Sequence, residues 1–274
     1  MQRHWLSLGC RRPGASDAHQ GGTTVLTVSA RGLDHVSLNR LLAEAAAAGE
    51  RAVRVTEVLG HRYIGTGLGG ELSLTLEGTP GEDLGAFMDG PTVRVLGNAQ
   101  NAVGNTMNSG LIAIHGSAGD ILGHSLRGGR IWVRGDVGYR VGIHMKAQPG
   151  NGPAIVVGGA AGDFLGEYMA GGVLIVLGLT DQGRQRPVGN WLGTGMHGGT
   201  IYVRGSVPEH RLGKGAGREE LTDADREELR RHLEPYCWEF CLDPDSLVSD
   251  SYTKLVPLTY RPYGRLYVST VGEC

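Results

Sequence analysis

Paired metal-binding cysteines are missing from this sequence: the four cysteines, Cys10, Cys237, Cys241 and Cys274, include no C-x2-C pair. That spacing excludes the usual zinc and iron–sulfur frameworks. Charge of one sign is also missing, since 26 basic and 28 acidic residues leave a net charge of -2. Nucleic acids and anionic membranes usually demand a basic face, so neither is an expected partner. No apolar run approaches the ~18 residues that span a bilayer. The apolar stretch Leu6 to Cys10 is too short for a secretory core, so export is excluded and a cytoplasmic protein is expected. Aromatics make up only 6% of the chain.

Glycine is present in excess, with 47 residues in 274, against a usual share of about 7%. There is no G-X-Y period, which excludes collagen. The glycines instead recur every 19 residues: Gly78, Gly97, Gly116 and Gly135 form one series, and Gly85, Gly104, Gly123 and Gly142 another. A five-residue insertion then shifts the frame, which resumes at Gly159, Gly162, Gly166 and Gly171, and an eight-residue insertion follows Gly178. A methionine column, Met88, Met107, Met145, Met169 and Met196, keeps the same register, with Leu126 in the missing slot. Seven copies start near residues 72, 91, 110, 129, 153, 172 and 199.

Each copy offers a short alternating strand, such as Val93-Arg94-Val95, Ile131-Trp132-Val133 or Leu174-Ile175-Val176. One such strand cannot bury its apolar side. Stacking successive copies in parallel makes a continuous apolar ladder, with glycines turning the corners and methionine filling the interior. The predicted fold is mainly β: a right-handed parallel β-helix of about seven 19-residue glycine-rich repeats. The insertions at 147–152 and 180–187 are expected to bulge outward as loops.

The flanks divide the chain further. Residues 1–23 read as a flexible extension. Residues 24–70 read as a small α/β cap over one open end, with strands at Val25 to Val28 and Ala52 to Val58. Its helix is expected to start at a Ser37 N-cap and end before Gly49. Residues 71–213 are the β-helix and 214–274 a helical and extended segment. Thr222-Asp223-Ala224-Asp225 opens its helix, which is charged from Arg226 to Glu234 and followed by the segment Pro235 to Leu242.

Chemistry is harder to find. The series Gly116/Gly119/Gly123 and Gly135/Gly138/Gly142 have no room for the crossover helix of a dinucleotide site, and no P-loop occurs. His115, His124, His144 and His197 fall within the coils and read as corner residues bonded to neighbouring rungs, or as groups facing a partner's catalytic centre. Asp120 and Asp163 follow glycines at turn positions where a carboxylate binds backbone N–H groups. Cys237 and Cys241 would share one face of a helix, as small apolar residues or as a redox or metal pair. No residue is assigned a catalytic, cofactor-binding or metal-binding role.

The stretches Phe87-Met88-Asp89-Gly90, Gly97-Asn98-Ala99-Gln100, Gly135-Asp136-Val137-Gly138-Tyr139-Arg140-Val141-Gly142 and Gly193-Thr194-Gly195-Met196-His197-Gly198 resemble the C-terminal G-x-G-x-G domain of glutamate synthase large subunits. Together with Arg261-Pro262-Tyr263-Gly264 near the end, they resemble its stand-alone, split form. The resemblance implies a subunit without catalytic residues that braces two partners: a class II glutamine amidotransferase subunit and an FMN/iron–sulfur glutamate synthase subunit. It implies no cofactor in this chain, with FMN and iron–sulfur clusters in the partners. The same solenoid also resembles an N-methylglutamate synthase subunit and the C subunit of formylmethanofuran dehydrogenase and of the bacterial formyltransferase/hydrolase complex. A free-standing binding module is the remaining alternative.

Overall fold

Strands of four to seven residues acquire a partner on each side only by stacking, and the 19-residue period supplies one such strand per coil. The computed structural model describes residues 25–147 and 152–259. In chain order the elements are β1 (Leu26–Ser29), α1 (His35–Ala47), β2 (Ala52–Leu59), β3 (Ser73–Thr79), β4 (Asp89–Val95), β5 (Ser109–Ile114), β6 (Arg130–Val133), β7 (Ala154–Val157), β8 (Ala170–Val176) and α2 (Asp181–Gln185). There follow β9 (Gly198–Arg204), β10 (Ala216–Glu219), α3 (Asp223–Phe240), α4 (Pro244–Ser249) and β11 (Tyr252–Pro257). The described strands form a single sheet in which β1 to β9 lie side by side in sequence order. Every pair from β1–β2 to β8–β9 is parallel. The seven strands β3–β9 carry the seven repeats and enclose six complete coils, so the fold is a parallel β-solenoid.

Register aligns like with like. Val53, Leu74, Val93, Ile112, Ile131, Ile155, Leu174 and Ile201 are successive partners along the ladder. All point into the coil and are essentially inaccessible to solvent. Met88, Met107, Leu126, Met145, Met169 and Met196 lie in the same core. At one end of the core, α1 buries Leu38, Leu42 and Ala45, and β1 and β2 continue the parallel ladder. At the other end the chain reverses: β11 pairs antiparallel with β9, and β10 with β11.

The opposite face of the sheet departs from the expected polar–apolar alternation. The outward column runs Arg54, Thr75, Arg94, then Ala113, Trp132, Val156, Ile175 and Tyr202. It is polar for three rungs and then buried. Helix α3 covers the later rungs, placing Leu229, Leu233, Tyr236 and Phe240 on that column in a second apolar core. Each such side chain contributes about 1.5–3 kcal/mol by burial. Strands sandwiched in this way are apolar on both faces.

Helix α3 runs through Pro235 without ending, correcting the expected division after Glu234. Proline removes one backbone donor and costs about 3 kcal/mol in an isolated helix; here the packing of both halves of α3 on the sheet offsets that loss. Its start is a capping box in which Thr222 and Asp225 exchange hydrogen bonds. Helix α1 starts three residues earlier than expected, at an Asp34 N-cap whose carboxylate accepts the Ser37 N–H at 2.7 Å. The insertion at 180–187 is not an open loop: Thr180 caps the single helical turn α2. The extension 1–23, most of the 147–152 insertion and the tail from Arg261 to Tyr267 lie outside the described residues.

Candidate interaction surface

One corner of the solenoid is built from left-handed backbone. In each coil the second glycine series is flanked, two residues either side, by further residues with positive φ: Asp83 and Phe87 around Gly85, Ala102 and Thr106 around Gly104, Ile121 and Ser125 around Gly123. Arg140 and His144 flank Gly142, and Phe164 and Tyr168 flank Gly166. The alternation sends successive amides in opposite directions along the stack. Ile121 N–H donates to the Tyr139 carbonyl of the next coil at 2.9 Å, Gly123 N–H to the Val103 carbonyl of the preceding coil at 2.8 Å, and Ser125 N–H again forward to Ile143 at 2.8 Å. This corner therefore ties rungs together without being a strand.

The flanking slots, and Tyr139 just before one of them, carry solvent-exposed rings. Phe87, Tyr139, Tyr168 and Trp191 are 53%, 50%, 45% and 49% exposed. Phe164 and Trp191 stack with centroids 4.8 Å apart, and His144 stacks on Tyr168 at 5.3 Å. The Arg140 guanidinium stands 5.2 Å over the Phe164 ring and pairs with the buried Glu167 at 3.1 Å. A left-handed position costs a bulky L-residue about 1–2 kcal/mol, and Gly67 and Gly195 fill the equivalent slots elsewhere in the stack.

Beside this edge lies a cleft of about 670 Å³. Its floor is a column of narrowly spaced bridges, Val137 to Ala161 to Val188, interleaved with Gly138, Gly162 and Gly189. One wall is Tyr139, Arg140 and Phe164; the other is Gln182 and Arg186 from the insertion. The insertion is anchored underneath, since Thr180 Oγ1 donates to Asp136 Oδ1 at 2.6 Å. Of these residues sequence pointed only to the 180–187 insertion; the signal available for the aromatic wall was bulky residues at the two slots flanking each glycine of the second series.

Two of the four histidines meet, His124 and His144, edge to face with ring centroids 6.1 Å apart; the other two lie elsewhere. His124 Nδ1 lies 3.2 Å from Asn105 Oδ1 of the preceding coil. Burial, then the charges of His144 and Lys146, hold its pKa below the usual value, against an opposing pull from Asp83. His115 is elsewhere, at Glu239 Oε1 (3.3 Å) and edge-on to Phe240 of α3. The His197 ring meets the nearby Gly195 carbonyl, at 3.3 Å. Asp120 and Asp163 accept backbone N–H groups of the next coil, from Tyr139 at 3.1 Å and Asn190 at 2.7 Å. The amides of Gly116, Gly119 and Gly123 are all bonded to preceding-coil carbonyls and so are unavailable to a phosphate.

Cys237 and Cys241 do not share a helical face. Cys237 lies on the buried face of α3, and burial pushes its thiol up to about 12, whereas Cys241 is the exposed left-handed residue at which α3 stops. Among the described residues no group of three or more His, Cys, Asp or Glu side chains is placed to hold a metal, and no helix is long and apolar enough to cross a membrane.

The sequence is 44% identical over 223 residues to an uncharacterized protein of Methanocaldococcus jannaschii, covering 79% of this chain and 85% of that one. Among solved structures it is similar to a chain of the formyltransferase/hydrolase complex of Methylorubrum extorquens, determined with methylofuran. The TM-score is 0.55 at 20% identity, over 82% of this chain and 91% of the other, which establishes a shared fold. The family model described as GXGXG motif matches residues 47–258, a span that begins in α1 and ends just past β11. The chain belongs to the GXGXG motif family, the family of the glutamate synthase C-terminal domain.

Proposed function

We propose that this chain is a non-catalytic structural subunit of a glutamate synthase-type complex, which converts glutamine, 2-oxoglutarate and reductant to glutamate. The carrying observation is that the family match runs across nearly the whole coil stack and α3 rather than over one motif. In this reading the rod fixes the spacing between a class II glutamine amidotransferase subunit and an FMN/iron–sulfur synthase subunit, so that ammonia passes between them without escaping. Eight parallel rung steps of about 4.8 Å give a brace of roughly 38 Å. FMN and the clusters belong to the partners in this reading. The assembly is cytoplasmic in this account.

A one-carbon role is a second reading, favoured by the fold shared with the formyltransferase/hydrolase chain. Mild affinity purification from the native host, with mass spectrometry and a flavin spectrum, separates the two. An amidotransferase together with an FMN/iron–sulfur protein upholds the first reading. Molybdopterin or formyltransferase partners move the chain to the second, and recovery of the chain alone overturns both.

A further inference from the structure

We propose that the cleft between the 180–187 insertion and the aromatic corner is the docking groove for an extended, acidic segment of a partner subunit that inserts a flat apolar side chain. The proposal rests on the scaffold reading above and assigns it a surface. Three observations carry it.

The first is cost. Arg140, Phe164, Tyr168 and Trp191 all have left-handed backbone, with φ from 52° to 60°. Half-exposed rings such as Tyr168 and Trp191 gain little by burial, and Gly67, with open space around it, shows that the coil accepts the cheaper residue. Bulky rings set at an exposed corner that tolerates glycine point to use. The second is shape. The floor of small residues and bare glycine backbone lies between an aromatic wall and a wall added by the insertion, so a flat side chain can lie against the backbone.

The third is an excess of donors. Arg140, Arg186, Gln182 and Asn190 line the cleft, and Arg211 reaches it from behind through a 3.0 Å hydrogen bond to the Val188 carbonyl. The Arg211 Nε is buried without a partner among the described residues. The one acid in the lining, Asp163, already accepts from Asn190 with Oδ1 and lies 3.8 Å from Arg186. Glu167 answers Arg140 from beneath. A partner bearing carboxylates is complementary to this rim, and aromatic and arginine side chains are the usual anchors of such contacts.

The test places the photo-crosslinker p-benzoylphenylalanine at Gln182 in the full chain, expressed in its native host, and maps the crosslinked peptide. The expected product joins residue 182 to a segment of net negative charge in a co-purifying subunit. Arg186→Glu should weaken that association at least about tenfold, and reversing one acidic residue of the mapped segment to arginine should restore it. Trp191→Gly should weaken it similarly while the melting temperature of the isolated chain stays level or rises. Crosslinks to a neutral or basic segment, or to nucleic acid, overturn the proposal, as does a complex whose affinity neither variant changes. In those cases the scaffold reading survives; a wild-type chain that forms no complex overturns both.

Discussion

At Gly104 two constraints meet. Its φ is +68°, and a Cβ there would stand 2.4 Å from the Ile131 Cδ1 of the adjoining strand. Gly104→Ala therefore combines left-handed strain with overpacking, and is expected to cost about 2–5 kcal/mol in urea unfolding. Ile131→Val removes the clashing carbon, so the double variant should be less damaged than the sum of the singles; strict additivity would mean the strain is all in the backbone. His232 poses a different problem. It is 8% exposed with Nδ1 unpartnered among the described residues, and burial, then Arg231 and Arg130, lower its pKa to about 4 from 6.5. The folded state thus refuses a proton that the unfolded chain accepts, so stability falls as pH drops from about 6.5 to about 4. His232→Leu should flatten that limb; an unchanged pH profile would show that the ring finds a partner in solution.

Among elements, α3 governs how the sheet meets solvent. It is clasped to the first half of the solenoid by Glu239, which receives Arg94 through two hydrogen bonds at 2.8 and 3.1 Å and lies beside His115. Burial pushes the Glu239 carboxyl up, but hydrogen bonds from His115 and Arg94 prevail and lower its pKa to about 2 from 4.5. A depressed carboxylate stabilises the fold above about pH 4.5 and loses that contribution as pH falls toward 2. Glu239→Gln should lower stability at neutral pH and shorten the acid limb, measured by thermal unfolding between pH 6 and 2. The other end of α3 is held by Asp225, which accepts from Tyr202 at 2.6 Å and pairs with Lys254 at 3.0 Å. The helix was legible as two pieces, because proline ordinarily ends one. Its continuity came from apolar residues Leu229, Leu233, Tyr236 and Phe240 on either side of Pro235, which a local rule does not weigh. A sequence signal for its docking did exist: from Ala113 onward the outward residues of the strands turn apolar.

Across the whole molecule, two apolar cores share one sheet, the coil interior and the α3 face. A chain truncated after Leu221 loses β11, with its Leu255, from the end of the first core and exposes Trp132, Val156, Ile175 and Tyr202 of the second. Such a contiguous patch invites association, so the truncated protein is expected to form oligomers or aggregates on size-exclusion chromatography with light scattering. A monodisperse monomer of near-native stability would mean that α3 is an ornament on a self-sufficient rod. The capped ends argue in the same direction: parallel edge strands left bare template further pairing, and here α1 covers one end of the core while β10 and β11 reverse the ladder at the other.

The 19-residue glycine period determined the solenoid, because left-handed corners and backbone close approach admit few other residues, and a repeat leaves its register in the sequence. It likewise placed the methionine column inside and the two insertions outside the frame. Only the tertiary structure decided that the outer sheet face is a second core, that Cys237 and Cys241 are separated by the end of α3, and that Tyr139, Phe164 and Trp191 gather beside the 180–187 insertion. Those outcomes depend on which rungs a distant helix covers and on which coils neighbour an insertion. Such contacts arise between residues tens of positions apart, where periodicity carries no information.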